Sequence, residues 1–132
     1  EAARKHFGFS LQRPVVVQDA RYHIRKTDRR YDIIVLDAFT GDYIPEHLLT
    51  EEFLEEVRAI MSPDGVLVAN TFSTSRFYEH ESVTYQKVFG EFFNFKLPSS
   101  GNRIIIARDA PLPPRGELAG VAVCSLSCRK TD

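Results

Sequence analysis

The stretch Tyr31-Asp-Ile-Ile-Val-Leu-Asp-Ala-Phe-Thr-Gly-Asp-Tyr-Ile-Pro45 joins the most apolar β-branched run of the chain to a turn holding two carboxylates. Residues 33–36 are too few for a membrane span and too uniformly apolar for a half-exposed strand. They predict a central strand covered on both faces, as in a parallel sheet. Asp37 then stands at the carboxyl end of that strand. In open α/β sheets the ligand crevice lies outside those ends, so an acid followed by a glycine-containing loop marks a candidate site. Read as local structure, Asp37 and Asp42 would instead cap the helical turn at Pro45, and both readings stand at this level.

Upstream, residues 1–9 have Ala2, Ala3, His6 and Phe7 at helical spacing and close on Gly8, which predicts a helix end with a glycine cap. Residues 15–19 predict a short β-branched strand that also ends in an acid, Asp19. A short helix over 20–26, packed through Tyr22, and a polar turn at 28–30 complete a β-α-β spacing.

Downstream, Thr50 is an N-cap, Glu51 and Glu52 lie in the positive first turn, and Phe53, Leu54, Val57, Ile60 and Met61 mark one apolar helix face. Ser62-Pro-Asp-Gly65 predicts a turn and residues 66–70 a buried strand ending at Asn70. Residues 73–90 carry Phe77, Glu81, Tyr85, Val88 and Phe89 at helical intervals before Gly90, and residues 92–97 and 103–107 predict an antiparallel pair. The alternation implies an α/β, Rossmann-like fold, a mostly parallel sheet with helices on both faces and a terminal antiparallel hairpin. Residues 109–132 hold a proline cluster and no period, and predict an irregular tail after a domain spanning 1–108.

With 132 residues, 43% hydrophobic and 27% charged, the chain has the composition of one soluble globular domain. A net charge of -1 offers no basic excess for a nucleic acid backbone, and no apolar run approaches the roughly 18 residues of a membrane span. The default expectation is a cytoplasmic protein, with Cys124 and Cys128 as free thiols, since two such ligands do not make a structural zinc site and no metal is implied. His47 and His80 read as surface residues on helical segments.

Taken together, Ala2-Ala-Arg-Lys-His-Phe-Gly8, Asp19-Ala-Arg21, residues 31–39, Gly41-Asp-Tyr-Ile-Pro-Glu-His-Leu-Leu-Thr50 and Pro63-Asp-Gly-Val-Leu-Val68 resemble the spermidine synthase-like branch of the class I, S-adenosylmethionine-type Rossmann fold. The resemblance covers about residues 1–107. It implies transfer of an aminopropyl group from decarboxylated S-adenosylmethionine to a polyamine or other small amine, in polyamine biosynthesis. An amine with a pKa of about 10 is an ammonium ion at neutral pH, so a carboxylate must bind it and take its proton before attack. By the resemblance Asp37 is that base, and Asp19 and Ala20 contact the adenine. Asp42 attracts the amine, with Tyr43, Asn70 and Glu81 at the amine pocket; Glu81 reads equally well as a helix-face ion pair.

The acid that the family's synthases carry three residues after the base is Thr40 here, with Asp42 further along. The family's glycine-rich turn and ribose-binding acid would precede Glu1. The chain thus reads as the carboxyl-terminal part of a domain, inactive alone and prone to self-association such as a homodimer. A methyltransferase on the same scaffold, using S-adenosylmethionine itself, and a non-catalytic dimerisation piece are the alternatives, since fold alone does not decide function.

Overall fold

A computed structural model describes residues 2–8, 10, 15–41, 43–96 and 100–113. Its elements run α1 (Ala2–Phe7), α2 (Ala20–Lys26), β1 (Tyr31–Leu36), a 3-10 turn (Glu46–Leu48), α3 (Glu51–Ala59), β2 (Met61–Phe72), α4 (Tyr78–Phe89), β3 (Phe93–Lys96) and β4 (Asn102–Arg108).

Each helix starts or stops where its sequence chemistry directs. Gly8 and Gly90 end α1 and α4 with φ of 61° and 73°, a backbone region that costs glycine little. Thr50 caps α3 by accepting from the Phe53 N–H, and Asp19 caps α2 by accepting from the Tyr22 N–H. Arg21 then clamps α2 onto α3 with a forked pair of bonds to Glu56, 2.9 and 3.0 Å long, which Arg25 joins from the next turn. The two guanidiniums hold the Glu56 carboxyl down at about 2.

The sheet order is β1-β2-β4-β3, with β1 parallel to β2 and the other two pairings antiparallel. The α/β, Rossmann-like layout and the terminal antiparallel strands are as expected, and several details are not. β1 lies at an edge rather than in the centre, so Ile33 and Val35 on its outer face are 67% and 64% exposed. Only its alternate residues, Ile34 and Leu36, pack on the core. That core joins Ile24 of α2, Phe53, Leu54 and Val57 of α3, and Tyr85 and Val88 of α4 to Leu67, Ala69, Ile105 and Ala107 of the sheet. Among the described residues the helices therefore cover one face, not both, and parallel pairing is confined to β1 and β2.

Three further readings are corrected. Residues 15–17 form no strand: a β-branched run becomes one only when a ladder partner satisfies its backbone, and none pairs with it among the described residues. Ile24, not Tyr22, is the residue of α2 that packs inward. The helix expected over 73–90 begins only at Tyr78, because the preceding backbone turns to bond elsewhere, Ser73 N–H donating to the Gly101 carbonyl at 2.7 Å.

Ser62-Pro-Asp-Gly65 loops out of the ladder within β2, where the register passes from Tyr31↔Met61 to Ile33↔Val66. A Cβ on Gly65 would lie 2.9 Å from the Tyr31 carbonyl oxygen, so the bulge requires glycine there. Residues 109–113 are irregular, while residues 114–132, with both cysteines, lie outside the described residues.

Candidate active site

The parallel pair β1 and β2 brings two polar side chains to one end of the sheet, Asp37 just past β1 and Asn70 near the end of β2. Asn70 Nδ2 donates to Asp37 Oδ1 at 3.0 Å, and Asn70 Oδ1 accepts from Asn102 Nδ2 at 3.1 Å. The chain of amides holds the carboxylate from one side. Asp37 is exposed.

The loop after Asp37 is pinned by packing and by one tight turn. The Phe39 ring meets Phe72 edge-on at 5.0 Å, and Thr40 N–H donates to the Tyr43 carbonyl at 2.9 Å around Gly41, whose φ is 63°. Tyr43 is carried outward at the turn's far side, whereas Asp42 lies outside the described residues. The cap reading fails for Asp37, since Pro45 precedes the 3-10 turn and no side chain caps it.

Asp19 is the second acid that the sequence singled out, and it does cap a helix. Its Oδ1 accepts from Tyr22 N–H and its Oδ2 lies 3.1 Å from His47 Nε2. These contacts, the Tyr22 amide first and His47 next, hold the Asp19 carboxyl below its usual range. His47 is thus a partner of a candidate site residue, not a bystander, and its own carbonyl accepts from Arg21.

Two recesses meet in this region. A small recess of about 30 Å³ is walled by Ala20, Leu36, Ala38, Asn70 and Glu81, of which Ala20 follows Asp19 and Leu36 and Ala38 flank Asp37 in the chain. A wider cavity of about 560 Å³, within the range of small-molecule sites, lies between the β1 loop and the start of α4 and is bordered by Tyr43, Phe72, Phe77 and Glu81. Glu81, Ile44 and Leu49 belong to both. The wider cavity sets aromatic rings beside two carboxylates, Glu46 and Glu81, and one cation, Arg76.

Glu81 is deeply buried and pairs with Arg103 of β4 at 2.6 Å, so both roles weighed for it have a basis: an ion pair, though across to the sheet, and a place on the pocket wall. Burial raises its carboxyl above the ordinary range, against the pull of Arg103. Arg103 was missed in the sequence although its signal was present. In Arg103-Ile-Ile-Ile-Ala107 strand parity puts it on the core face with Ile105 and Ala107, where an arginine needs an acid. His80 lies at the rim of a neighbouring groove with Phe77 and Glu81 and is exposed. No group of three or more His, Cys, Asp or Glu is placed to hold a metal ion among the described residues.

Comparison with known proteins bears on family and fold. Residues 3–84 match the family described as S-adenosyl-L-methionine-dependent methyltransferase. A polyamine aminopropyltransferase of Vibrio vulnificus is 52% identical over 119 residues, which are 86% of this chain and 40% of that protein. The crystal structure of a probable spermidine synthase from Corynebacterium glutamicum superposes with a TM-score of 0.73 at 25% identity, covering 85% of this chain and 44% of that one. Human methyltransferase-like protein 13, in complex with SAH, shares the fold with a TM-score of 0.82 at 20% identity over 99% of this chain and 67% of its own. The chain spans less than half the length of the first two. It belongs to the S-adenosyl-L-methionine-dependent methyltransferase family, in the spermidine synthase-like branch.

Proposed function

We propose that the intact protein transfers an aminopropyl group from decarboxylated S-adenosylmethionine to a small-molecule amine, and that this chain supplies the base and much of the acceptor pocket. The observation that carries the reading is the placement of Asp37 at the carboxyl end of β1, where Asn70 Nδ2 donates to its carboxylate. The 52% identity to a polyamine aminopropyltransferase supports it.

Asp37 binds the acceptor as an ammonium ion, then takes one proton from it and frees the nitrogen lone pair for attack on carbon. Asn70 keeps the carboxylate aimed while the proton moves. Asp19 and Ala20, at the start of α2, would hold the adenine end of the nucleoside, and Asp42 and Tyr43 would draw the amine toward the cavity. The bound nucleoside supplies a sulfonium-activated carbon, which leaves a neutral thioether after transfer.

A methyltransferase reading is favoured by one observation, the family description that residues 3–84 match. It requires an acceptor pocket but no carboxylate for an ammonium ion.

Asp37→Asn keeps the shape and the Asn70 contact while removing the base. In the intact protein, turnover is expected to fall by about a hundredfold to ten-thousandfold while nucleoside affinity stays within a few-fold, measured by steady-state kinetics and calorimetry. Asp19→Asn retains an oxygen for the Tyr22 cap and is expected to weaken nucleoside binding more than turnover. Wild-type turnover in Asp37→Asn would remove the proposed base.

A further inference from the structure

The hydrogen bonds that begin at Asp37 pass through Asn70 to a third strand. Asn70 Nδ2 donates to Asp37 Oδ1 at 3.0 Å, and Asn102 Nδ2 of β4 donates to Asn70 Oδ1 at 3.1 Å. The polarity of this chain follows from its first member. An ionised carboxylate only accepts, so the Asn70 amide has to present its N–H₂ to Asp37. Its carbonyl then faces β4, where only a donor satisfies it, and Asn102 is that donor. A side chain at 102 that offered only oxygens would draw the Asn70 N–H₂ to itself and turn the Asn70 carbonyl against the carboxylate, oxygen to oxygen.

The place of Asn102 is set from both faces of the sheet. Asn70 lies opposite Ile104 in the antiparallel ladder and Asn102 two residues from Ile104, so strand parity puts the two amides on one face. The next residue, Arg103, takes the other face and is 0% exposed. Its Nε donates to Thr71 Oγ1 at 2.8 Å, its Nη1 to Ser82 Oγ at 2.7 Å and its Nη2 to Glu81 Oε2 at 2.6 Å. A guanidinium held in this way anchors the strand at the residue beside Asn102. The turn before β4 is anchored as well. Ser73 N–H donates to the Gly101 carbonyl at 2.7 Å, and a Cβ on Gly101 would lie 3.2 Å from Thr74 Oγ1, so the chain entering β4 lies against the chain leaving β2. In the ladder Asn102 pairs with Phe72, whose ring meets Phe39 of the Asp37 loop at 5.0 Å.

We propose that Asn102 is a positioning residue for the base: it fixes which end of the Asn70 amide faces Asp37, and so couples the start of β4 to the aim of the carboxylate. The inference rests on the reading of Asp37 as the base and adds the residue that makes Asn70 a donor to it. Asn102 acts only through Asn70 in this scheme, and it takes no part in the proton transfer.

The test compares three variants of the intact protein: Asn102→Asp, an isosteric change that replaces the donor by an acceptor, Asn70→Leu, and the two combined. Steady-state kinetics with 1,4-diaminobutane give kcat, and calorimetry gives the affinity for methylthioadenosine. Asn102→Asp alone is expected to lower kcat by about ten- to a hundredfold, as for loss of a hydrogen bond to a charged group, with nucleoside affinity within a few-fold. In the Asn70→Leu background the same change is expected to cost at most about a further twofold, because the route through the amide is already cut. A new charge acting at a distance would lower kcat equally in both backgrounds, and that result overturns the proposal, as does wild-type turnover in Asn102→Asp. Should circular dichroism show Asn102→Asp unfolded, Asn102→Leu, which removes the donor without adding charge, is expected to lower kcat by about threefold or more with the same dependence on Asn70, and full turnover there overturns the proposal. Asp37→Asn separates the two claims. Wild-type turnover in that variant removes the base, and the aim of the amide is then read by nuclear magnetic resonance from the Asn70 side-chain N–H₂ signal, identified by its loss in Asn70→Leu. A signal that moves on Asp37→Asn in the wild-type background but stays in place in the Asn102→Asp background upholds the role of Asn102, and one that moves equally in both overturns it.

Discussion

Asn70 decides where the Asp37 carboxylate points, because its amide is the donor that Asp37 Oδ1 accepts and its carbonyl is in turn occupied by Asn102. Asn70→Leu deletes the donor and orphans the Asn102 amide while preserving side-chain volume. Loss of one hydrogen bond to a charged group corresponds to about a tenfold or greater fall in turnover. Steady-state kinetics on the variant check this, and unchanged kcat would show that Asp37 is held by something else. Asp37, Asn70 and Glu81 were legible in the sequence because strand ends and helix faces announce themselves by period. The His47 contact to Asp19 was not, since 28 residues separate the two and only the docking of the 3-10 turn beside α2 joins them.

α3 is the element on which the site end of the molecule is built, receiving α2 through Arg21 and Glu56 and α4 through the shared core. Its start depends on Thr50, so Thr50→Ala is expected to lower unfolding free energy by about 1 kcal/mol in denaturant titration. A value near zero would mean that tertiary packing alone sets the helix start. Acid acts on the same joint. The folded-state Glu56 carboxyl is depressed from 4.5 to about 2, so its contribution is fully present above pH 4.5 and is lost as pH falls toward 2. Glu56→Gln is therefore expected to flatten the decline in stability across that window, read as thermal midpoint against pH, and an unchanged slope would contradict the clamp. Helix α3, its cap and its apolar face were readable residue by residue. The late start of α4 was not, because the Ser73 N–H is drawn to the carbonyl of Gly101, 28 residues away in the chain.

At the scale of the whole molecule, alternating helices and strands announced the α/β class, whereas strand order did not follow from apolarity. Residues 33–36 are apolar on both faces, yet β1 is an edge strand whose outer face, with Ile33 and Val35, no described helix covers. An open edge with exposed β-branched side chains is a surface that a further strand or another chain would complete, and the relatives' greater length is consistent with completion within one protein. What remains coherent is the site end, where β1, β2, the loop at Phe39 and α4 converge on Asp37 and Glu81. The most direct test of aminopropyl transfer is mass spectrometry of the products formed by the intact protein with 1,4-diaminobutane and, in parallel reactions, decarboxylated S-adenosylmethionine or S-adenosylmethionine. The expected result is an aminopropylated amine with methylthioadenosine from the first reaction and no product from the second. A methylated amine with S-adenosylhomocysteine from the second, and nothing from the first, would contradict it.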